Sequence, residues 1–162
     1  MTKKQTLWYH IFDVILNIVI IVAVVGGIRT FLISPFQVEG SSMTSTLETK
    51  QYILINKLAY HIGDPERGDV VVFRPPLQEN KHYVKRVIGL PGDEVITRDG
   101  QVYLRIAGTE KETQLEEDYL NDSNSGKTFN YPPSSGDTSE KRYSMKEGEY
   151  FLLGDNRKGS VD

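Results

Sequence analysis

A long apolar segment near the N-terminus constrains this chain more than any other feature. Residues 14–28 read VILNIVIIVAVVGGI, in which Asn17 is the only polar side chain. At about 1.5 Å per residue this segment is too short for a hydrocarbon core of ~30 Å, but an extension back to Trp8 is long enough. The segment is apolar on all sides, unlike the amphipathic helix of a soluble core. The sequence therefore predicts a membrane-spanning helix over residues 8–28.

The residues around this helix indicate its orientation. Lys3 and Lys4 precede it, and Trp8 and Tyr9 suit the membrane interface. A cleaved secretory signal is the alternative, but the apolar run is long and no A-x-A site follows it. We expect a single-pass protein of the cell membrane, with a cytoplasmic tail over residues 1–7, the anchor over 8–28 and an extracytoplasmic domain over 29–162.

Composition argues against several classes of function. The formal net charge of the 162 residues is −3, which does not favour binding to nucleic acid. The chain has no cysteine, which excludes disulfides, thiolate metal sites and a cysteine nucleophile. Its three histidines are scattered, and none has the spacing of a metal-binding pair. We therefore expect neither a metal nor an organic cofactor.

Beyond the anchor, short runs of β-forming residues are bounded by turn residues. Asp99-Gly100 is a strong hairpin turn, with Val95 in the arm that leads into it. Val102, Leu104 and Ile106 alternate after the turn, which predicts one buried face. The expected fold class is mainly β, a single N-terminal transmembrane helix followed by an all-β domain. The predicted strands lie near residues 52–56, 69–73, 82–90, 102–106 and 150–153.

A polar stretch over residues 107–143 interrupts this pattern. It is rich in Glu, Asp, Ser, Asn, Gly and Thr, and residues 121–126 and 132–136 have the composition of loops. One interpretation is an exposed insertion between two strands. The other is a flap that binds a partner.

Ser42 and Lys85 are the positions that carry candidate chemistry. A serine hydroxyl becomes a good nucleophile when a base takes its proton. Lys85 has apolar neighbours, and strand alternation puts it on the same face as Tyr83 and Val87. A lysine buried among such neighbours is able to act as that base, because desolvation disfavours a charged amine. The alternatives are a flexible turn at Ser42 and a solvated surface charge at Lys85.

The C-terminal segment supplies candidate partners for the lysine strand. Strand alternation points Arg86 away from the face of Lys85, so that it needs a carboxylate of its own, and Asp155 or Asp162 is expected to provide it. Ser160 lies in the same segment. A hydroxyl near a base lysine holds its amine in position, as third groups do in other catalytic triads.

Four sequence blocks resemble those of type I signal peptidases, the membrane-anchored serine/lysine endopeptidases, and in particular the Gram-positive kind. GSSMTSTL at 40–47 is similar to the nucleophile block, and RGDVVVF at 67–73 to a structural strand block. YVKRVIGLPGD at 83–93 is similar to the base block, and GDNR at 154–157, with Ser160 and Asp162, to the final block. The resemblance implies a serine endopeptidase that removes signal peptides from secreted preproteins at the outer membrane face.

The resemblance also implies roles for individual residues. Ser42 is the nucleophile, Lys85 is the general base, and Ser160 orients Lys85. Charge pairing near the site is implied for Asp155, Arg157 and Asp162. Small apolar pockets for the substrate residues before the cut are implied at Phe36, Val38, Tyr83 and Val84. The implied partners are signal peptides of exported preproteins, membrane lipid and the protein-export translocon.

Ser45 and the stop at Asp162 depart from the family pattern, whereas Gly40 is a variation that other relatives share. Gly40 stands where some relatives have a serine that donates to the oxyanion, and Ser45 replaces the usual proline. The chain stops at Asp162, where the pattern continues with Ser-Arg and a further strand, so we expect a truncated form. A catalytically weak or inactive anchored relative that binds partners is therefore the alternative function. A serine/lysine self-cleaving regulator is a third interpretation.

Overall fold

The computed structural model describes residues 3–75, 81–130 and 135–160. The chain divides into two compact units. One comprises Met1–Phe36 and Ile53–Asp64, and the other comprises Gln37–Tyr52 and Pro65–Asp162. The first unit is helical with a small sheet, and the second is built from strands, so the expected mainly β class with an N-terminal apolar helix is confirmed.

One apolar helix dominates the first unit. Helix α1 covers Lys3–Gly27 and continues as a π-helix over Ile28–Leu32. The apolar stretch Leu7–Leu32 has 26 residues and a mean hydropathy of 2.7, and its most apolar part is not buried against the protein. At about 1.5 Å per residue it exceeds a hydrocarbon core of ~30 Å. The helix is longer than predicted because its backbone hydrogen bonds continue through polar residues at both ends.

Polar groups of this helical segment find partners within the first unit. Asn17 Nδ2 donates to the carbonyl of Asp13 at 2.7 Å, which gives one polar group of this apolar helix a partner within the helix. Lys57 Nζ donates to the carbonyls of Arg29 and Thr30 at 3.2 and 3.3 Å. These carbonyls lie near the end of the helical segment, where intrahelical donors run out.

The remainder of the first unit is a small sheet and one helical turn. Strands β1 (Ile33–Gln37) and β2 (Tyr52–Asn56) pair with each other, and α2 covers Ala59–Ile62. Strand β2 is confirmed at its predicted bounds. Strand β1 was not predicted, because Pro35 in its middle is typical of an edge strand or of no strand at all.

The second unit contains two antiparallel sheets. The strand order is β3-β4-β9 in the first sheet and β7-β6-β5-β8 in the second. The predicted strands near 69–73, 82–90, 102–106 and 150–153 are confirmed. Three further strands are present among the described residues: β5, which is the arm that leads into the predicted Asp99-Gly100 hairpin, and β7 and β8 at the edges of the second sheet. The bounds are β3 Val70–Phe73, β4 Tyr83–Gly89, β5 Glu94–Arg98, β6 Gln101–Arg105, β7 Glu112–Gln114, β8 Lys141–Ser144 and β9 Phe151–Leu153.

Apolar side chains of both sheets form the core. Its buried members are Ile88, Val95, Val102, Leu104 and Leu153. The hairpin turn at Asp99-Gly100 is confirmed, with φ of +52° and +76° at the two residues, as a two-residue turn of this type requires. The expected burial of Ile106 is wrong: β6 ends at Arg105, and Ile106 is 53% exposed.

The polar stretch 107–143 belongs to the second unit, and some of its described polar residues are buried. Asn124, Thr128 and Asn130 are at most 5% exposed. Thr97 of β5 donates to Asn130 Oδ1 at 2.9 Å. The expectation of an exposed insertion is therefore wrong at these positions. At Asn130 the hydrogen bond from Thr97 of the sheet compensates for burial, and at Thr128 a hydrogen bond from Arg157 does so. Residues 131–134 lie outside the described part of the chain.

Asp93, just before β5, is a buried carboxylate with three hydrogen-bond donors. It accepts hydrogen bonds from the Leu90 amide at 2.8 Å, from Arg67 at 2.8 Å and from the Ala107 amide at 3.0 Å. Burial by itself raises the pKa of Asp93, but the hydrogen bonds from Leu90, Arg67 and Ala107 outweigh it and the net pKa is lowered.

This shift predicts that the fold loses stability in acid. A lowered carboxyl pKa stabilises the folded state above the pKa of the unfolded chain, and the stabilisation is lost as pH falls through the folded pKa. The free energy of unfolding should therefore fall below about pH 4. Asp93→Asn should lower it by about 2 kcal/mol at neutral pH and flatten the acid limb. Urea unfolding at several pH values checks this, and an unchanged acid limb in the variant would contradict it.

Candidate active site

Three segments of the second unit converge on the predicted site residues. They are the turn at residues 40–47, strand β4, and the segment 154–160 that follows β9. In the register of the sheet, Val71 lies opposite Lys85, and Leu153 lies opposite Arg86. Because β9 ends at Leu153, the segment 154–160 begins beside Arg86.

Lys85 and Arg86 contact different partners on opposite faces of β4, as their alternation predicted. Lys85 is 3% exposed, and its Nζ donates to Ser160 Oγ. Arg86 is bidentate on Asp155, with Nε–Oδ1 at 3.0 Å and Nη2–Oδ2 at 2.7 Å. Asp155 is therefore confirmed as a partner of Arg86. Asp162, the other candidate, lies outside the described residues.

Ser160 is held in place by its own segment. Its side chain is fully buried, and its amide donates to the carbonyl of Asn156 at 2.8 Å. The sequence predicted that Ser160 lies against Lys85, and the two side chains are hydrogen-bonded. A buried lysine with a fixed hydroxyl partner has little freedom to change its position.

The turn that carries Ser42 is tied to the segment 154–160 by main-chain contacts. The Asn156 amide donates to the carbonyl of Ser42 at 2.9 Å, and Asn156 Nδ2 donates to the carbonyl of Ser41 at 2.9 Å. Met43, 2% exposed, anchors the turn from inside. Ser45 has φ of +96°, a value that a proline ring forbids. The backbone of this turn therefore accepts Ser45 and would not accept the proline that the family pattern has at this position.

Gly154 joins the serine turn to the Lys85–Ser160 pair. A Cβ at this position would clash with Ser160 Oγ and lie 2.5 Å from the Ser42 carbonyl oxygen. Only a residue without a side chain permits this close approach. Gly154 and Ser160 therefore lie between the Ser42 turn and the Lys85 amine.

Gly154→Ala should therefore disturb the site more than it disturbs the fold. The added methyl group pushes the Ser42 turn away from Ser160, and a displacement of about 1 Å costs on the order of 10²-fold in rate when reacting groups are misplaced. Overpacking should also lower the free energy of unfolding by about 1–3 kcal/mol. The readouts are peptide cleavage and urea unfolding.

Gly63→Ala is the matched control, because no atom lies within 4 Å of a Cβ built there. It should leave both readouts near those of the parent protein. Gly154→Ala with undiminished cleavage would show that the close approach at this glycine is not needed.

Arg157 connects the segment 154–160 to the polar stretch 107–143. Arg157, 2% exposed, donates to the carbonyl of Gly154 at 3.0 Å and to Thr128 Oγ1 at 2.6 Å. It also forms an ion pair with Glu117. The expected charge pairing of Arg157 is confirmed, but its partner lies in the polar stretch 107–143.

Sequence reasoning missed three residues that contact Asp155, Arg157 or Arg86. Thr46 donates to Asp155 Oδ2 at 2.5 Å, Glu117 pairs with Arg157, and the ring of Tyr119 lies 4.0 Å below the Arg86 guanidinium. Tyr119 and its apolar neighbour Leu120 in a polar stretch were the available signal. An aromatic residue in such a stretch often marks a packed position.

The residues expected to line substrate pockets lie in both units. Tyr83 and Val84 begin β4, two and one residues before Lys85, and are half-buried. The ring of Tyr83 packs edge-to-face on Phe73, with 6.2 Å between the centroids. Val38 is 7% exposed in the second unit, whereas Phe36 is half-buried in β1 of the first. The pocket roles of these four residues stay a prediction.

The fold and the site together define a mainly β protein with a single N-terminal helix long enough to anchor it in a membrane. Residues 11–162 match the family of signal peptidases, peptidase S26. The chain is 34% identical to a signal peptidase I of Bacillus licheniformis, over 99% of this chain and 79% of that protein. It is 35% identical to a signal peptidase I of Pseudomonas aeruginosa, over 83% of this chain and 56% of that protein. A crystal structure of a signal peptidase I from Enterococcus faecalis aligns with a TM-score of 0.46 and 29% identity, over 62% of this chain and 85% of that one.

The chain belongs to the signal peptidase family, peptidase S26, whose members are serine-type endopeptidases. It spans little more than half the length of the Pseudomonas relatives it matches. Family membership and the apolar helix together identify it as a membrane-anchored protein.

Proposed function

We propose that this chain is a signal peptidase that cleaves signal peptides from exported preproteins, with Ser42 as nucleophile and Lys85 as general base. The observation that carries the proposal is the buried Lys85 amine, 3% exposed and hydrogen-bonded to Ser160, beside the turn of Ser42. Family membership supports the same activity. Phe36, Val38, Tyr83 and Val84 are proposed to bind the substrate residues before the cut.

The proposed reaction uses one base twice. Lys85 Nζ takes the proton of Ser42 Oγ as that oxygen bonds to the scissile carbonyl carbon, and the carbonyl electron pair moves to the oxygen. Collapse of this intermediate breaks the C–N bond, and the Lys85 ammonium returns the proton to the leaving amine. A water molecule then attacks the ester with the same base. Hydrogen bonds between catalytic groups often tighten only when substrate is bound, so substrate is expected to bring Ser42 Oγ onto Lys85 Nζ.

The main chain at Ser42 is the proposed oxyanion donor. Within the described residues the Ser42 amide donates to no other group, so it is available to a developing negative charge. Gly40 contributes no side-chain donor of its own. Loss of one such donor costs on the order of 10²–10³ in rate in other enzymes, so we expect the main-chain amide to matter strongly here.

The anchor is proposed to place this chemistry at the outer face of the membrane. Lys3 and Lys4 favour a cytoplasmic N-terminus, and nine residues separate Leu32, at the end of the apolar stretch, from Ser42. A signal peptide has its apolar core in the bilayer and its cut site near the surface. A short tether raises the effective concentration of the nucleophile at that surface. Membrane lipid and the export translocon are proposed as the surroundings in which the enzyme meets its substrates.

The test is cleavage of a preprotein by the full chain in lipid vesicles. We expect two products, the free signal peptide and a mature protein that begins after a small residue, both identified by mass spectrometry. Stable capture of the preprotein without products would contradict the proposal and indicate a non-catalytic binding protein.

A further inference from the structure

Two buried arginines lie on the strand and the segment that carry the Lys85–Ser160 pair. Arg86 follows Lys85 on β4 and is 9% exposed, and Arg157 follows the Gly154-Asp155 pair and is 2% exposed. Asp155, fully buried, accepts two hydrogen bonds from Arg86. A buried cation without a carboxylate is strongly destabilised, so Arg157 needs a second carboxylate.

The polar stretch 107–143 supplies that carboxylate. Glu117 Oε2 accepts from Arg157 Nη1 at 3.2 Å, and Glu117 Oε1 accepts from Arg157 Nη2. The Glu117 side chain is 8% exposed, so water screens this pair little. Its immediate neighbours Glu116 and Asp118 are exposed, which distinguishes Glu117 from the general acidity of the stretch.

Tyr119 connects the two arginines from the same stretch. Its hydroxyl donates to Glu117 Oε1 at 2.7 Å and accepts from Arg157 Nη2 at 3.3 Å. Its ring lies 4.0 Å from the Arg86 guanidinium carbon, in the geometry of a cation–π contact. Burial and the negative charge of Glu117 raise the pKa of Tyr119, which keeps the phenol protonated as a hydrogen-bond donor.

These contacts reach the proposed reacting groups through two routes. Arg157 Nε donates to the carbonyl of Gly154 at 3.0 Å, and Gly154 lies against both Ser42 and Ser160. Arg86 is held beside Lys85 on the strand and shares Asp155 with Thr46 of the serine turn. The Glu117–Tyr119 pair therefore contacts both cations that fix the segment 154–160.

We propose that Glu117 and Tyr119 are positioning residues for the cleavage reaction, supplied by a stretch that the sequence marks as a polar insertion. Glu117 holds Arg157, and Tyr119 holds Arg86 and Glu117. Together they keep Ser160 against Lys85 and the Ser42 turn against Gly154. This inference rests on the proposed function, since it concerns the same site.

Glu117→Gln tests the role of the charge with little change in shape. In protein that is folded by circular dichroism, kcat should fall on the order of 10²-fold while KM changes by less than about threefold, because reacting groups and not substrate contacts are displaced. Glu117→Asp, which restores the charge, should recover part of kcat. Tyr119→Phe keeps the ring under Arg86 and loses the hydroxyl, and should cost about tenfold in kcat.

Glu116→Gln is the matched control, because it removes an exposed carboxylate from the adjacent position. It should leave kcat and KM unchanged. If Glu117→Gln does not fold, the double variant Glu117→Gln/Arg157→Gln removes the unpaired cation and restores folding, and its kcat should stay low.

A kcat equal to that of the parent protein, in folded Glu117→Gln or in the double variant, would overturn the inference. Glu117 would then have a purely structural role. This result is distinguishable from failure of the proposed function. If the proposed function fails, the parent protein itself releases no signal peptide, or Ser42→Ala releases it as fast as the parent.

Discussion

Replacement of Lys85 by methionine is expected to abolish signal-peptide cleavage while the protein remains folded. Methionine has a similar length and suits a site that is 3% exposed, but it has no amine to accept the Ser42 proton. General bases contribute about 10²–10⁴ in rate, and residues that act as a unit lose more, so kcat should fall at least ~10³-fold. The measurement is single-turnover cleavage of a preprotein in vesicles, with circular dichroism as the test of folding.

Lys81→Met is the control for this experiment. Lys81 is exposed and lies shortly before β4, so its loss changes the same charge without touching the site. Its cleavage rate should stay within about twofold of the parent rate. A folded Lys85→Met variant that cleaves the preprotein at the parent rate would show that Lys85 is not the general base.

Replacement of Asp155 by alanine is expected to cause the largest loss of stability of any single change at this site. It leaves Arg86 in a buried position without its bidentate carboxylate, and it removes the acceptor for Thr46. Breaking a buried ion pair by removing one partner costs about 3–5 kcal/mol, mostly because the other charge is left uncompensated. Urea unfolding of the full chain in detergent, followed by circular dichroism, measures the change.

Two comparison variants show whether the loss of stability in Asp155→Ala comes from burial of the ion pair or from the loss of any ion pair. Glu140 pairs with Arg98 and Arg142 on the exposed face of the second sheet, and Glu140→Ala should change stability little. Arg86→Leu/Asp155→Leu removes both buried charges and should recover most of the loss caused by Asp155→Ala. Equal stability of Asp155→Ala and Glu140→Ala would show that burial does not strengthen the Arg86–Asp155 pair.

Local patterns predicted most of the fold. The apolar helix and the strands bounded by Gly or Pro were found, because their signals lie within a few neighbouring residues. Strands β7 and β8 were missed. Both are short edge strands with polar sequences, ETQ and KRYS, whose conformation is set by pairing with β6 and β5. Cross-strand pairing of this kind leaves no periodic signal in one segment.

The site residues also fall into two groups, those that local patterns predicted and those that they missed. Alternation along β4 was enough to separate the faces of Lys85 and Arg86, and to require a carboxylate near Arg86. Glu117 and Tyr119 were missed because their role depends on contacts with residues about 40 positions away in sequence. The local sequence does not show which of several neighbouring acidic residues is buried. Only the folded chain distinguishes Glu117 from the exposed Glu116 beside it.

The most direct test of the proposed chemistry is the cleavage rate of Ser42→Ala, measured beside Ser41→Ala on one preprotein in vesicles. Ser41 is the exposed neighbour in the same turn, so it is a close control. The proposed mechanism predicts that Ser42→Ala releases no mature protein above the uncatalysed background, whereas Ser41→Ala retains cleavage. Release of correctly cut mature protein by folded Ser42→Ala at the parent rate would contradict the assignment of Ser42 as nucleophile.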